Sequence, residues 1–337
     1  DRLTSAGLQV ERVERIGEGI EGVVVAKVLA VEELSGFKKP IRWVTLTDGT
    51  AERNVICGAT NFAVGDVVAY ARPPAMLPGG FRIEAREAYG HTSDGMICSG
   101  RELGISDDHD GILVLDPAAD LGGDAVDALG VRDDVLDISI NPDRGYALSV
   151  RGVAREVAIA YDVAFRDPAR LDLAISGAGY DVRIEAGDGC DRYLAVSLDQ
   201  LDATVASPAW LQRRLVLGGM RPISLMVDVT NYVMLAVGQP THAFDRATLR
   251  GPIVVRRAAS GERLRTLDGV DRELDPRDLL ITDDSGPIAL AGVMGGESTE
   301  ITGATRDVLL ESAHFEPTTV AYTARRHRLG SAASRRF

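Results

Sequence analysis

Between Glu21 and about Asp116 the sequence is a succession of short runs rich in valine, isoleucine, threonine and aromatic residues, each closed by a turn signal. The runs are GVVVAKVLAV, IRWVTLT, RNVICG, DVVAYA and FRIEAREAYG. The punctuation is Ser35-Gly36, Asp48-Gly49, Gly65-Asp66 and Pro78-Gly79-Gly80. Such texture is all-β. About five strands of this kind close naturally into a small barrel, and the open five-stranded barrel that binds oligonucleotides is one common solution. Periodicity alone leaves a small sandwich as the alternative.

The texture then changes. DPAADLGGDAVDALG is small and acidic and reads as a linker. Beyond it, DDVLDISINPDRGYALSVRGVAREVAIAYD reads as a strand, a turn at Asn141-Pro142-Asp143 and a helix with Val150, Val153, Val157 and Tyr161 on one apolar face. SPAWLQRRLVLGG reads as a second helix, with Ser207 as N-cap, Pro208 in the first turn, Leu211 and Leu215 inward and Gly218-Gly219 as the stop. Strand-like pieces follow (GPIVVRRA, RLRTLDG, DLLITDD), then the glycine-rich PIALAGVMGG and DVLLESAHF. The expected class is therefore α+β and multidomain, in line with about two domains for 337 residues.

Composition narrows the function classes. At 45% apolar and 26% charged the chain is ordinary for a soluble globular protein, and its apolar runs are too short to span a membrane. No signal peptide opens it. Cys57, Cys98 and Cys190 lie far apart without metal-type spacing, which reads as reduced thiols in a cytoplasmic protein. A net charge of −13 argues against wholesale coating of nucleic acid and against DNA as a partner, so any RNA contact must be local. Local basic stretches exist: nine arginines stand against three acids from Trp210 to Arg265, and TARRHRLGSAASRRF has five arginines and no acid. On the residues alone these also read as solvated faces. Both ends look cut from something longer.

One stretch raises a sharper question. VDVTNYVMLAVGQPTHAFD, from Val227 to Asp245, is mostly apolar yet carries Thr230, Asn231, Gln239 and His242. A buried polar side chain is costly unless paired. Asn231 and His242 can converge only if the segment folds back at Gly238-Gln239-Pro240.

Several motifs in order resolve the question by resemblance. VICGATNFAVGD and SDGMICSGRELGI resemble the tRNA-binding oligonucleotide-fold module appended to several synthetases. The second half, read as CDRY, RPISLMVDVTNYVMLAVGQPTHAFD, TLDG, ALAGVMGG, LLESAHF and TARRHRLGSAASRRF, closely resembles the editing domain of the bacterial phenylalanyl-tRNA synthetase beta subunit. DRGYALSVRGVARE resembles a further segment of that family, departing from it at Gly145-Tyr146-Ala147. Ser224 and Thr241 are the other departures. The resemblance implies a small α/β domain from residues 1–20 with 131–170, a small oligonucleotide-fold barrel inserted over 21–130, and a mixed α/β editing domain over 185–337.

It also implies the activity: hydrolysis of tyrosine wrongly esterified to the phenylalanine tRNA. Thr230, Asn231, Pro240 and His242 are then expected on one side of the site, with Ala291, Gly292 and Glu311 on the other. Catalysis would fall to His242, Asn231 and Thr230 with water as nucleophile, and substrate binding to Glu311, Gly292, Ala291 and Pro240. Lys38, Lys39, Arg42 and Arg72 are the RNA-binding candidates on the barrel, with His109 an exposed loop residue. The family pairs this subunit with a catalytic alpha subunit in an α2β2 heterotetramer and uses ATP and magnesium. The chain itself shows no ATP motif or metal-ligand cluster, so no cofactor of its own is expected. From a different class, the alternative is a non-catalytic RNA-binding or scaffold module with an inactive pocket. On residues alone, Glu311 also reads as a cap or arginine partner, His242 as a satisfied core residue, and Asp228 as a structural acceptor.

Overall fold

A computed structural model describes residues 1–105, 111–170 and 179–337; His109 lies outside them. The chain divides into two compact units, one made of Asp1–Val10 with Ile138–Phe337 and the other of Glu11–Asp137. Helix α1 spans Arg2–Ser5, and strands β1 (Gln9–Ile16), β2 (Glu21–Glu33), β3 (Arg42–Thr47), β4 (Glu52–Cys57) and β5 (Val67–Leu77) follow. Short strands β6 (Phe81–Ile83), β7 (Arg86–Ala88), β8 (His91–Ser93) and β9 (Met96–Ile97), helix α2 (Ala125–Ala128) and β10 (Asp133–Ser139) come next.

In the inserted unit the sheet order is β4-β3-β2-β5-β6, with β9 also on β5. Register shifts between Val28 and Ala30 and between Glu21 and Val23 bend β2, because an extra residue on one strand kinks it and adds twist. The sheet thus curls as a half-barrel. Its central strands are buried on both faces: Val23, Val25, Val67 and Ala69 point into one cluster, Val24, Ala26, Val28 and Val68 into another. That is why GVVVA and VVAYA read as continuous apolar runs rather than alternating ones. The stretch expected to be a linker supplies the cover. Asp124 caps α2 through the Val126 and Asp127 N–H groups, and Ala125, Val126 and Val131 are buried against the sheet. Small acidic composition hid a short capped helix whose two apolar residues complete a core.

The other unit holds α3 (Val150–Tyr161), β11 (Val182–Ile184), β12 (Cys190–Leu198), α4 (Ala209–Leu217), α5 (Leu225–Val237) and β13 (Thr241–Asp245). It continues with β14 (Ile253–Arg257), β15 (Arg263–Arg265), β16 (Asp271–Glu273), β17 (Leu279–Asp283), β18 (Gly286–Leu290), β19 (Met294–Gly295), β20 (Val308–Phe315) and α6 (Pro317–His327). A five-stranded sheet, β11-β14-β17-β18-β19, and a three-stranded one, β12-β20-β13, enclose the largest core, in which Phe244, Leu280, Leu309 and Phe315 are fully buried.

Two helix readings change. In α3, Val153 and Val157 pack on Leu3, Leu8 and Ala147, but Val150 and Tyr161 are exposed; the inward face centres on Gly152 and Ala158. Helix α4 starts after Pro208 rather than after Ser207. Ser207 is instead buried and donates its hydroxyl to Asp228 at 2.5 Å, while the Ile223 N–H donates to the other oxygen of that carboxylate at 2.8 Å. Asp228 is therefore the structural acceptor that fixes the entry of α5. Helix α6 is fastened in the same manner: the buried Asp278 carboxylate accepts from Thr323, Arg326 and His327.

Candidate functional site

The fold-back needed to bring Asn231 and His242 together is present. Helix α5 ends at Gly238, which adopts φ 85°, a left-handed conformation open to glycine at little cost. The Gln239 amide then donates to the Ala313 carbonyl at 2.9 Å, and the chain reverses into β13. Strand β13 runs antiparallel to β20 with His242 directly opposite Glu311. Alternation along the strands places both side chains on one face of the sheet.

Glu311 is 6% exposed, and its carboxyl has no hydrogen bond or ion pair among the described residues, which removes its reading as a cap or arginine partner. Burial alone pushes its pKa up to about 8. Among the described residues the His242 imidazole has no hydrogen-bonding partner either, and burial lowers its pKa to about 4; the part of its surface that stays open lines two cavities. At neutral pH the pair is thus a protonated carboxyl beside a neutral imidazole. Unpaired buried groups with displaced pKa values mark functional sites because a merely structural role would have paired them.

Two cavities meet at His242 and Thr241. The smaller, about 80 Å3, is lined by Pro240, Gly292, Glu311, Phe315 and Phe337 among others. The larger, about 450 Å3, is lined by Thr230, Asn231, Ser224, Leu267 and Thr302 among others. The expected residues therefore do not form two walls of one pocket. Pro240, Gly292 and Glu311 share the first cavity, Thr230 and Asn231 the second, and His242 stands in both. Ala291 lines neither; it is 1% exposed in the core behind Gly292. The Thr230 hydroxyl donates to the Val227 carbonyl within α5 at 2.8 Å, leaving it lone pairs for a ligand. The Asn231 amide has no hydrogen bond among the described residues.

Several participants were not singled out from the sequence. A Cβ on Gly295 would lie 2.6 Å from His242 Cε1 and 2.7 Å from Nε2, so glycine there makes room for the ring. Gly292, at φ +69°, is approached by Val320, Phe315 and Phe337. The GVMGG run is thus a packing requirement of the site as well as a turn. Tyr193 on β12 is buried, its hydroxyl has no partner, and burial followed by Glu311 raises its pKa well above the ordinary phenol value. The Thr241 hydroxyl is likewise buried without a partner. The pattern CDRY carried the Tyr193 signal, but nothing in the spacing said that β12 joins β20. We expect Gly295→Ala, whose backbone needs no left-handed angle, to displace the His242 ring and slow any reaction at this site roughly tenfold with melting little changed, since misplacing a positioned group costs catalysis more than stability; unaltered turnover would mean that the ring position is not critical.

On the inserted unit, two of the four basic candidates are engaged internally. Arg42 donates to the Phe62 carbonyl and to Glu33. Arg72 donates at 2.9 Å to Asp48, whose buried carboxylate the Thr50 hydrogen bonds, and after them the one from Arg72, hold well below the usual range. A buried carboxylate needs that partner more than RNA does. Lys38 and Lys39 remain exposed between β2 and β3.

Comparison with known proteins finds two family models and a set of close relatives. Residues 189–337 match the family described as "B3/4 domain", and residues 23–124 match "Putative tRNA binding domain". The phenylalanine–tRNA ligase beta subunit of Streptomyces avermitilis is 56% identical over 347 residues, covering all of this chain and 42% of the relative. That of Thermobifida fusca is 55% identical, again covering all of this chain and 42% of the relative. That of Nocardia farcinica is 53% identical over 98% of this chain and 40% of the relative. The chain spans about two fifths of the length of these relatives. With matches to both domain families and 53–56% identity across 98–100% of its length, the chain belongs to the phenylalanine–tRNA ligase beta-subunit family.

Proposed function

We propose that this chain hydrolyses tyrosine from mischarged phenylalanine tRNA, with the B3/4 region as the hydrolytic site and the half-barrel unit, of oligonucleotide-fold type, as an auxiliary RNA contact. The functional pieces on this reading are residues 1–20 with 131–170, 21–130 and 185–337. The observation that carries it is Glu311, buried and unpartnered beside His242 at the meeting point of two cavities.

The smaller cavity takes the amino-acid ring and the larger the terminal nucleoside, which leaves the ester at His242. A tyrosine hydroxyl satisfies the protonated Glu311 carboxyl; phenylalanine leaves that buried group unpaired. Sites built to bond a hydroxyl reject the analogue without it far more strongly than an apolar pocket rejects an added hydroxyl. Hydrolysis then needs one water: its oxygen bonds to the ester carbonyl carbon, the bond to the ribose oxygen breaks, and a water proton ends on that oxygen. The neutral imidazole of His242 accepts a hydrogen bond from this water, and the Asn231 amide orients it or the carbonyl. An imidazole lowered to about 4 is a weak base, so its role is to position the water. ATP and magnesium serve the synthetic reaction of the complete enzyme. No group of three or more His, Cys, Asp or Glu among the described residues is placed to hold a metal, and no step here passes through one. The catalytic alpha subunit completes the α2β2 assembly on this reading, in the cytoplasm.

Deacylation of Tyr-tRNA by the assembled ligase tests the proposal: hydrolysis supports it, and an inert site with retained tRNA binding favours a scaffold role. For the half-barrel, with Arg42 and Arg72 committed internally, Lys38 and Lys39 leave about two phosphate contacts. The log–log salt slope of tRNA binding by this unit should be roughly −2. A slope several times steeper would show a much larger basic surface.

A further inference from the structure

The stretch after α6, with its arginines and Phe337, plays no part in the mechanism above. Yet among the described residues Phe337 and Ala333 are the only ones lining the smaller cavity outside β13, β17 to β20 and their tight connections. Those strands are fixed by ladder hydrogen bonds, and Gly292 and Gly295 have no side chain to withdraw. At about 80 Å3 the cavity is smaller than the roughly 150 Å3 that holds a benzene ring. A phenol ring therefore enters only if one wall gives way.

Phe337 is placed to be that wall. Its ring packs on Phe315, centroids 5.3 Å apart and tilted 55°, and its edge lies 3.1 Å from where a Cβ on Gly292 would stand. The segment that carries it is tethered by two side chains: the Ser331 hydroxyl donates to the Val293 carbonyl at 3.2 Å, and Arg336 Nε donates to the Leu148 carbonyl at 2.9 Å. Arg336 is half-buried, so its guanidinium is spent on holding this segment rather than displayed to RNA. We infer that Phe337 sets the size limit of the amino-acid cavity, its ring turning aside to admit a phenol, and that Arg336 is the positioning residue that holds it there. The inference rests on the reading of the smaller cavity as the amino-acid site.

The test compares tyrosine with 3-methyltyrosine, which keeps the hydroxyl and adds bulk. In the assembled ligase, Phe337→Ala should raise kcat/KM for the 3-methyltyrosyl ester relative to the tyrosyl ester at least tenfold. Arg336→Gln should move the same ratio in the same direction by less. Affinities of tyrosinamide and 3-methyltyrosinamide for the same proteins should shift in parallel, and they report on Phe337 even where no ester is hydrolysed. An unchanged ratio in Phe337→Ala and Phe337→Leu, by both readouts, would overturn the inference; so would proportional loss of both ligands together with a lowered Tm. Failure of the unaltered protein to hydrolyse Tyr-tRNA would instead sink the functional reading, leaving the affinity ratio to judge Phe337.

Discussion

Glu311→Gln should make the protein more stable than the unaltered chain above about pH 4.5, by a margin that grows until about pH 8. Glutamine keeps the shape of a protonated carboxyl but cannot ionise. Glu311 rises from 4.5 to about 8 on folding, so its favourable contribution is complete below pH 4.5 and is lost as pH climbs through 8. His242 has the opposite sign: lowered from 6.5 to about 4, it contributes fully above pH 6.5 and loses that contribution as pH falls. From about pH 4.5 to 6.5 the two slopes nearly cancel, and from 6.5 to 8 the Glu311 decline stands alone. In Glu311→Gln that decline disappears and only the acid loss from His242 remains. At about 1.4 kcal/mol for each pKa unit, the difference between the two proteins should reach about 3–5 kcal/mol near pH 8 and vanish near pH 4.5. Denaturant midpoints across this range measure it. A difference independent of pH would mean that Glu311 is ionised in the fold and paired with a cation.

His242→Ala should slow Tyr-tRNA hydrolysis roughly 10–100-fold while tyrosine binding stays close to normal. The imidazole stands at the junction of the cavities, opposite Glu311, and its ring packs edge-on against Phe244 at 4.6 Å. A group that holds water against the carbonyl acts more on the transition state than on the bound ester. Removing the ring also removes packing, so some loss of Tm accompanies the change. The split between kcat and KM decides the role: parallel loss of binding and stability would make His242 a core residue and nothing more.

Much of this arrangement was legible from the residues. The turn-punctuated runs after Glu21 dictated an all-β unit, and Gly238-Gln239-Pro240 dictated the reversal between α5 and β13. What could not be read depended on partners distant in sequence. The stretch 116–130 was expected to be a linker because nothing in its composition shows that Val126 and Val131 cover a sheet face. Arg42 and Arg72 looked available to RNA because Glu33 and Asp48 are brought to them only by strand pairing and turns. Thr230 and Asn231 seemed to share a wall with Pro240. Helical spacing instead turns them to the larger cavity, with His242 as the link. Gly295 was opaque because its significance lies in an imidazole fifty-three residues away.

The central claim is that Glu311 reads the tyrosine hydroxyl. Its most direct test is the ratio of Tyr-tRNA to Phe-tRNA hydrolysis in the unaltered ligase and in Glu311→Ala. The unaltered enzyme should hydrolyse the tyrosyl ester and spare the phenylalanyl one. In Glu311→Ala that preference should shrink by about 1–3 kcal/mol, the cost of an unmade buried hydrogen bond, with the fold intact. A variant that keeps the full preference would contradict the account.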